Sequence, residues 1–262
     1  MTPSGGKEIS VSGHSKWHSI KHQKGVADAK RGQLFTKLSR EIIISARAGG
    51  ANPEGNARLR LAIQKAKDAR MPGDNIQRAI QKGDGSLEGS QLIEATFEGY
   101  GAGGAAIIVD IVSDNRNRAV QELRSTFARG GGNLGENGSV AWMFETRGII
   151  SIPSAGKNGD EIALQAIDAG AEDVSPQDEY IEVYTAPGDM EGVRTALEGQ
   201  GVDVESAEVR RVAKTTCALD EHTAFQVLRL LDKLEELDDV QNVDSNVDLS
   251  DEIMEKYEAQ SK

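Results

Sequence analysis

His14, His18 and His22 recur at four-residue spacing, which on a helix would line three imidazoles along one face, close enough to share a metal ion. The neighbours argue against that use. Lys16, Lys21 and Lys24 interleave the histidines and the stretch carries no carboxylate, so the local field repels a divalent cation. Trp17 lies inside the same run. Cations neutralise phosphates and release counterions, while an indole stacks on an unpaired base. Lys16, Trp17, His18, Lys21, His22 and Lys24 are therefore read as a nucleic-acid contact. The competing role for Trp17 is an anchor that docks the segment onto the rest of the fold.

Other motifs carry less chemistry. Gly99, Gly101 and Gly104 spell G-x-G-x-x-G, but a dinucleotide fingerprint must open a helix, and here the β-branched run Ile107, Ile108, Val109 follows. A hairpin turn is expected. His222 beside Glu221 and the single Cys217 lack the partners of a nucleophile–base pair, and no G-x-S-x-G occurs. The chain is read as non-enzymatic, with no cofactor and no metal. Arg116 and Arg118 precede a glycine-rich run at 130–138, a loop able either to grip a nucleic-acid backbone or simply to turn tightly.

These groups need elements to position them. Leu34, Leu38, Ile42 and Ala46 repeat at helical spacing, and the two glycines at 49 and 50 end that helix. Asn52, Pro53 and Glu54 look like a helix restart, with Leu59, Ile63 and Ala66 inward. A third short helix is expected over 74–81. Lys30 and Arg31, at the end of a basic stretch at 12–31 expected to be ordered by a partner, and Lys37, Arg40, Arg58, Arg60, Lys65 and Lys67 of the first two helices extend the expected contact surface. Beyond a linker at 83–89 the period changes. Strands are expected at 92–98, 105–112 and 139–145, with a helix over 117–129. A βαββαβ order then runs from 148 to 209, the ferredoxin-like arrangement. A further strand at 210–216, a helix at 221–237 and a last strand at 240–247 follow.

The expected architecture is α+β in three domains, a helical N-terminal bundle and two ferredoxin-like domains, the third inserted in the second. The boundaries are a flexible leader at 1–11, a basic helical domain at 12–83 and a middle domain at 84–146 and 208–250. The inserted domain spans 147–207, and an acidic tail 251–262.

Charge divides along the same line. Residues 12–82 hold 15 Lys and Arg against 5 Asp and Glu, whereas residues 83–262 hold 14 against 36. A basic module on an acidic, solubilising body fits a polyanion partner better than a uniform net charge of −12 would imply. A single cysteine excludes an internal disulfide, and the absence of a long apolar run excludes a membrane partner; a cytoplasmic protein is expected.

Four stretches closely resemble the YebC/PmpR family of probable transcriptional regulators, related to a mitochondrial translational activator. They are SGHSKWHSIKHQKGVADAKRGQLFTKLSREI at 12–42, NARLRLAIQKAKDARMPGDNIQRAIQKG at 56–83, FEGYGAGGAAIIVD at 97–110 and DNRNRAVQELRSTFARGGGNLGENGSVAWMFETRG at 114–148. The resemblance implies the same three domains. It also implies DNA binding with transcriptional control in some members, and ribosome association that aids translation in others. DNA or ribosomal RNA is thus the expected partner, with the ribosome as a further one; a protein-interaction scaffold is the alternative. Gln23, Gln33 and Gly73 stand where the family usually has lysine, which is expected to weaken phosphate affinity. Arg70 replaces a common asparagine and Ala102 a usual proline.

Overall fold

The computed structural model describes residues 28–89, 91–176 and 180–260. Three helices open it: α1 (Asp28–Gly49), α2 (Ala57–Asp68) and α3 (Gly73–Asp84). Ile42, Ala46, Leu59, Ala62, Ala66, Met71, Ile76 and Ile80 close a small core between them, the amphipathic positions that the helical period marks. Gly83 lets α3 approach α1 closely, because a Cβ there would lie 2.6 Å from the Ile43 carbonyl oxygen.

The restart of the second helix differs from expectation. Asn52, Pro53 and Glu54 form a turn, and the N-cap is Asn56, whose Oδ1 accepts the Leu59 amide at 3.0 Å. Asn56 wins because its side chain does more. Its Nδ2 donates to the Ser45 and Gly50 carbonyls at 2.7 and 2.8 Å, satisfying the end of α1 and the start of α2 together.

The middle domain begins with β1 (Ile93–Tyr100), β2 (Ala106–Ser113), α4 (Arg116–Arg129) and β3 (Asn133–Leu134). The chain then leaves through β4 (Phe144–Pro153), α5 (Gly159–Asp168), β5 (Asp173–Pro176), β6 (Tyr180–Thr185), α6 (Met190–Gly199) and β7 (Ser206–Ala213). It returns through β8 (Cys217–Ala218), α7 (Glu221–Glu235), β9 (Val240–Ser245), β10 (Val247–Asp248) and α8 (Asp251–Gln260).

The inserted sheet has the order β5-β6-β4-β7 and the middle sheet β3-β1-β2-β9, both antiparallel throughout. The first is the ferredoxin-like layout of βαββαβ. The second has the same spatial layout, but its third strand, β1, comes first in the chain. Closing the middle sheet therefore requires β9, which arrives only after the insertion.

The seam between the two domains is built by long strands. No separate strand occupies 139–145. Residues 141–143 form a short 3₁₀ turn, and β4 then runs unbroken to Pro153. β7 likewise runs unbroken from the end of the expected βαββαβ unit into the expected strand at 210–216, pairing with β4 from Phe144–Ala213 to Ser151–Ser206. The lower ends of both strands cover one face of the middle sheet. Ala106 and Ile108 meet Val140, Phe144 and Ala213 there, while Ile107, Val109 and Ile111 face α4 and α7. That two-sided burial explains why β2 is an almost continuous apolar run. Residues 251–260, expected as a tail, form α8, with Met254 and Tyr257 buried in the middle core.

Candidate nucleic-acid interface

The opening cluster of Lys16, Trp17, His18, Lys21, His22 and Lys24 lies outside the described residues. Lys30 falls in the first turn of α1, and Arg31 beside it is exposed. The remaining expected contact residues can be placed one by one.

α1 carries two stripes. One, at 35, 38, 42 and 46, faces the bundle. The other recurs at 33, 37, 40, 44 and 47, spacings that also share a helical face. This second stripe docks on the middle domain. Gln33 donates to Asp238 Oδ1 at 3.2 Å, Lys37 donates to the Glu235 carbonyl, and Arg47 donates to the Leu92 carbonyl at 3.0 Å. Arg40 bonds the Asp238 carbonyl and pairs with Asp239 Oδ1 at 2.8 Å. Gln33, itself exposed, therefore hydrogen-bonds an acid of the body.

Asp239 is the hub of this seam. Arg118 reaches its Oδ2 at 2.9 Å and Ser113 Oγ donates to the same oxygen at 2.7 Å. Burial pushes the Asp239 carboxyl up, but Arg118, Ser113 and Arg40 outweigh it and hold it below the usual aspartate range. Asn115 caps α4 by accepting the Arg118 amide at 3.1 Å, and Arg116 sits 5.8 Å over the Phe97 ring. The Asp114–Arg118 motif is thus organised first as a helix start and a clamp on Asp239.

α2 is fastened as well. Arg58 pairs with Glu41 of α1 at 2.9 Å and with Glu94 of β1. Lys65 meets Glu208 of β7 at 2.8 Å, and Leu61 packs on the core of the inserted domain. Arg60 folds back on the Pro53 carbonyl at 2.9 Å. Lys67 differs: it is exposed, with no hydrogen-bond or ion-pair partner among the described residues. The same holds for Arg70, Arg78 and Lys82, around the α2–α3 corner and along α3. Asp68 and Asp74 share that surface, with Asp68 accepting from Gln64 at 2.8 Å. Arg70 ends α2 at φ 58°, with the Met71 amide bonded to the Ala66 carbonyl at 2.8 Å. A left-handed residue there suits glycine or asparagine better than arginine.

The glycine-rich loop is organised by a residue the sequence did not single out. Glu98, 7% exposed, accepts the amides of Gly138, Val140 and Ala141 at 2.6, 2.7 and 2.8 Å. Burial raises its pKa, yet the three amides and Arg211 outweigh it and the net direction is down. Gly132 is a packing glycine, since a Cβ there would meet the Tyr100 carbonyl oxygen at 2.3 Å. The G-x-G-x-x-G run is the β1–β2 turn, where the Gly101 amide bonds the Ala105 carbonyl at 2.8 Å. Among the described residues no group of three or more His, Cys, Asp or Glu is placed to hold a metal ion, and no helix is long and apolar enough to cross a membrane.

Two family models match the chain. The TACO1/YebC protein N-terminal domain covers residues 15–86, and the TACO1/YebC second and third domain covers residues 92–247. A "probable transcriptional regulatory protein" of Dehalococcoides mccartyi strain CBDB1 is 62% identical over 96% of this chain and 100% of its own length. One of the same name from Moorella thermoacetica is 55% identical over 95% of this chain and all of its own. The crystal structure of a conserved hypothetical protein from Aquifex aeolicus superposes with a TM-score of 0.84 at 48% identity, covering 91% of this chain and 99% of that one. Matched over 15–86 and 92–247, and 62% identical over 96% of its length to a full-length relative, the chain belongs to the TACO1/YebC family.

Proposed function

We propose that the chain is a nucleic-acid-binding regulator of gene expression that contacts RNA, as a ribosome-associated translation factor, through the basic surface of its helical bundle. The observation that carries this reading is the fastening of α2. In a helix-turn-helix the second helix must enter the major groove with side chains free to reach base edges. Here Arg58 and Lys65 are held by Glu41, Glu94 and Glu208, and Leu61 is packed on the inserted domain. The outward cations Lys67, Arg70, Arg78 and Lys82 suit backbone phosphates, which carry no sequence information directly. A body with 36 acids against 14 bases leaves the bundle as the segment of net positive charge and so as the main surface for a polyanion.

The second reading is a DNA-binding transcriptional regulator, favoured by the names of the relatives from Dehalococcoides mccartyi and Moorella thermoacetica. Co-sedimentation with ribosomes at moderate salt, beside binding to duplex DNA of defined and scrambled sequence, separates the two. Ribosome association with no preference between the duplexes is expected. Sequence-selective duplex binding without ribosome association would overturn the translation reading. Replacing Lys16, Lys21 and Lys24 with alanine is expected to weaken the contact without unfolding the body; unchanged binding would remove that cluster from the interface.

A further inference from the structure

Trp142 directly follows the last of the three amides that Glu98 gathers at the end of the glycine-rich loop. It is 63% exposed, in the 3₁₀ turn Ala141–Met143 that leads into β4. An exposed tryptophan is usually free to swing, but this one is held. Its indole N–H donates to the Ser139 carbonyl at 3.1 Å, and the Tyr100 hydroxyl donates to that same oxygen at 2.9 Å. Beneath them, Glu98 gathers the amides of Gly138, Val140 and Ala141. The polar edge of the ring is turned onto the protein and its apolar body is left to solvent. Trp142 has no aromatic partner among the described residues.

The surroundings select among planar guests. The Lys214 amide bonds the Met143 carbonyl at 2.8 Å, so Lys214 sits across the β4–β7 pair from the residue after Trp142. Lys214 is exposed, without a partner among the described residues. A cation in that place disfavours a guanidinium or ammonium guest and favours a planar group carrying a phosphate. Gly138, at φ +85° with nothing within 4 Å of a built Cβ, leaves the loop surface open there.

We infer that Trp142 and Lys214 form a second nucleic-acid site, in which the indole stacks on one unpaired base of single-stranded RNA and the lysine meets its phosphate. Base–aromatic stacking tolerates any sequence because every base has a π-face. The inference deepens the proposed RNA reading and rests on it. It adds a contact on the acidic body, outside the residues of the bundle, and a preference for unpaired over paired RNA.

The test uses the full chain and a fluorescein-labelled single-stranded RNA of about 12 nucleotides, within the usual range of single-strand site sizes. Anisotropy gives affinity. The emission of Trp142 is the difference between the wild type and Trp142→Phe, since the chain holds two tryptophans. Single-stranded RNA is expected to quench that share, and the same sequence annealed to its complement to leave it unchanged. Trp142→Ala is expected to weaken single-strand binding by about tenfold with Trp142→Phe close to wild type. Lys214→Ala is expected to lower the slope of log affinity against log salt by about 0.7. Because Trp142 is largely exposed, an unchanged melting temperature for Trp142→Ala confirms that the fold is intact. RNA binding that persists with equal affinity in Trp142→Ala would overturn this site and leave the bundle reading standing. Absence of RNA binding by the wild type would overturn both.

Discussion

Lys65 of α2 and Glu208 of β7 lie 2.8 Å apart, an ion pair that ties the helical bundle to the inserted domain across 143 positions of sequence. With Arg40 on Asp239 and Arg58 on Glu94, it divides the bundle's cations into those engaged by the body and those facing outward. The division makes a prediction. Lys65→Ala is expected to change RNA affinity by less than about twofold, and to increase amide exchange in α2, because a half-buried surface pair of this kind contributes on the order of 1 kcal/mol to docking. A loss of RNA affinity equal to that of an outward lysine would show that Lys65 reaches phosphate after all.

Acid is expected to undock the bundle. The Asp239 carboxyl is held below its ordinary value, so its contribution is fully present above the unfolded-state pKa of about 3.9 and is lost as pH falls through the lower folded value. Glu98 acts with the same sign on the loop at 135–141. Hydrogen exchange at α1 and the loop between pH 7 and 3 is the measurement. Asp239→Asn should remove most of the α1 response; a response of unchanged size in that variant would locate the titration elsewhere.

Asn56→Ala removes one cap and two side-chain bonds to carbonyls while leaving the position buried. The bundle should lose about 1–3 kcal/mol, measured by urea unfolding of the full chain followed at α1–α3 by exchange. A loss under about 0.5 kcal/mol would mean that water replaces these bonds without cost. Arg70→Gly has the opposite sign. Relief of the left-handed backbone should stabilise the bundle by about 0.5–1 kcal/mol, and Arg70→Val should destabilise it.

Much of this was legible in the residues. Periods of 3.6 at 34–46 and 59–66 placed the first two helices, and the switch beyond 89 placed the two α+β units. The βαββαβ order between 148 and 209 showed the insertion. Two things were not legible, for physical reasons. One helix can bury two stripes, and nothing local in Gln33, Lys37 and Arg40 distinguishes a solvated basic face from one docked on acids 200 residues away. The same ambiguity hid Trp142. The run at 139–145 reads as a strand in sequence, whereas three amides converging on Glu98 precede a short 3₁₀ turn that leaves the indole exposed.

Gly73 offers a gain-of-function check. It opens α3 with nothing within 4 Å of a built Cβ, so Gly73→Lys adds an outward cation without a clash. RNA affinity should rise and the salt slope should steepen by about 0.7–0.9, the increment of one phosphate contact. An unchanged slope would mean that this corner does not face the polyanion.

The most direct test of the central claim compares salt slopes for ribosomal RNA between two alanine variants, one of Lys67, Arg70 and Arg78 and the other of Lys37, Arg40 and Lys65. The outward set is expected to flatten the slope by about 2, and the engaged set to leave it close to wild type. Equal flattening by both sets, or none by the outward set, would contradict it.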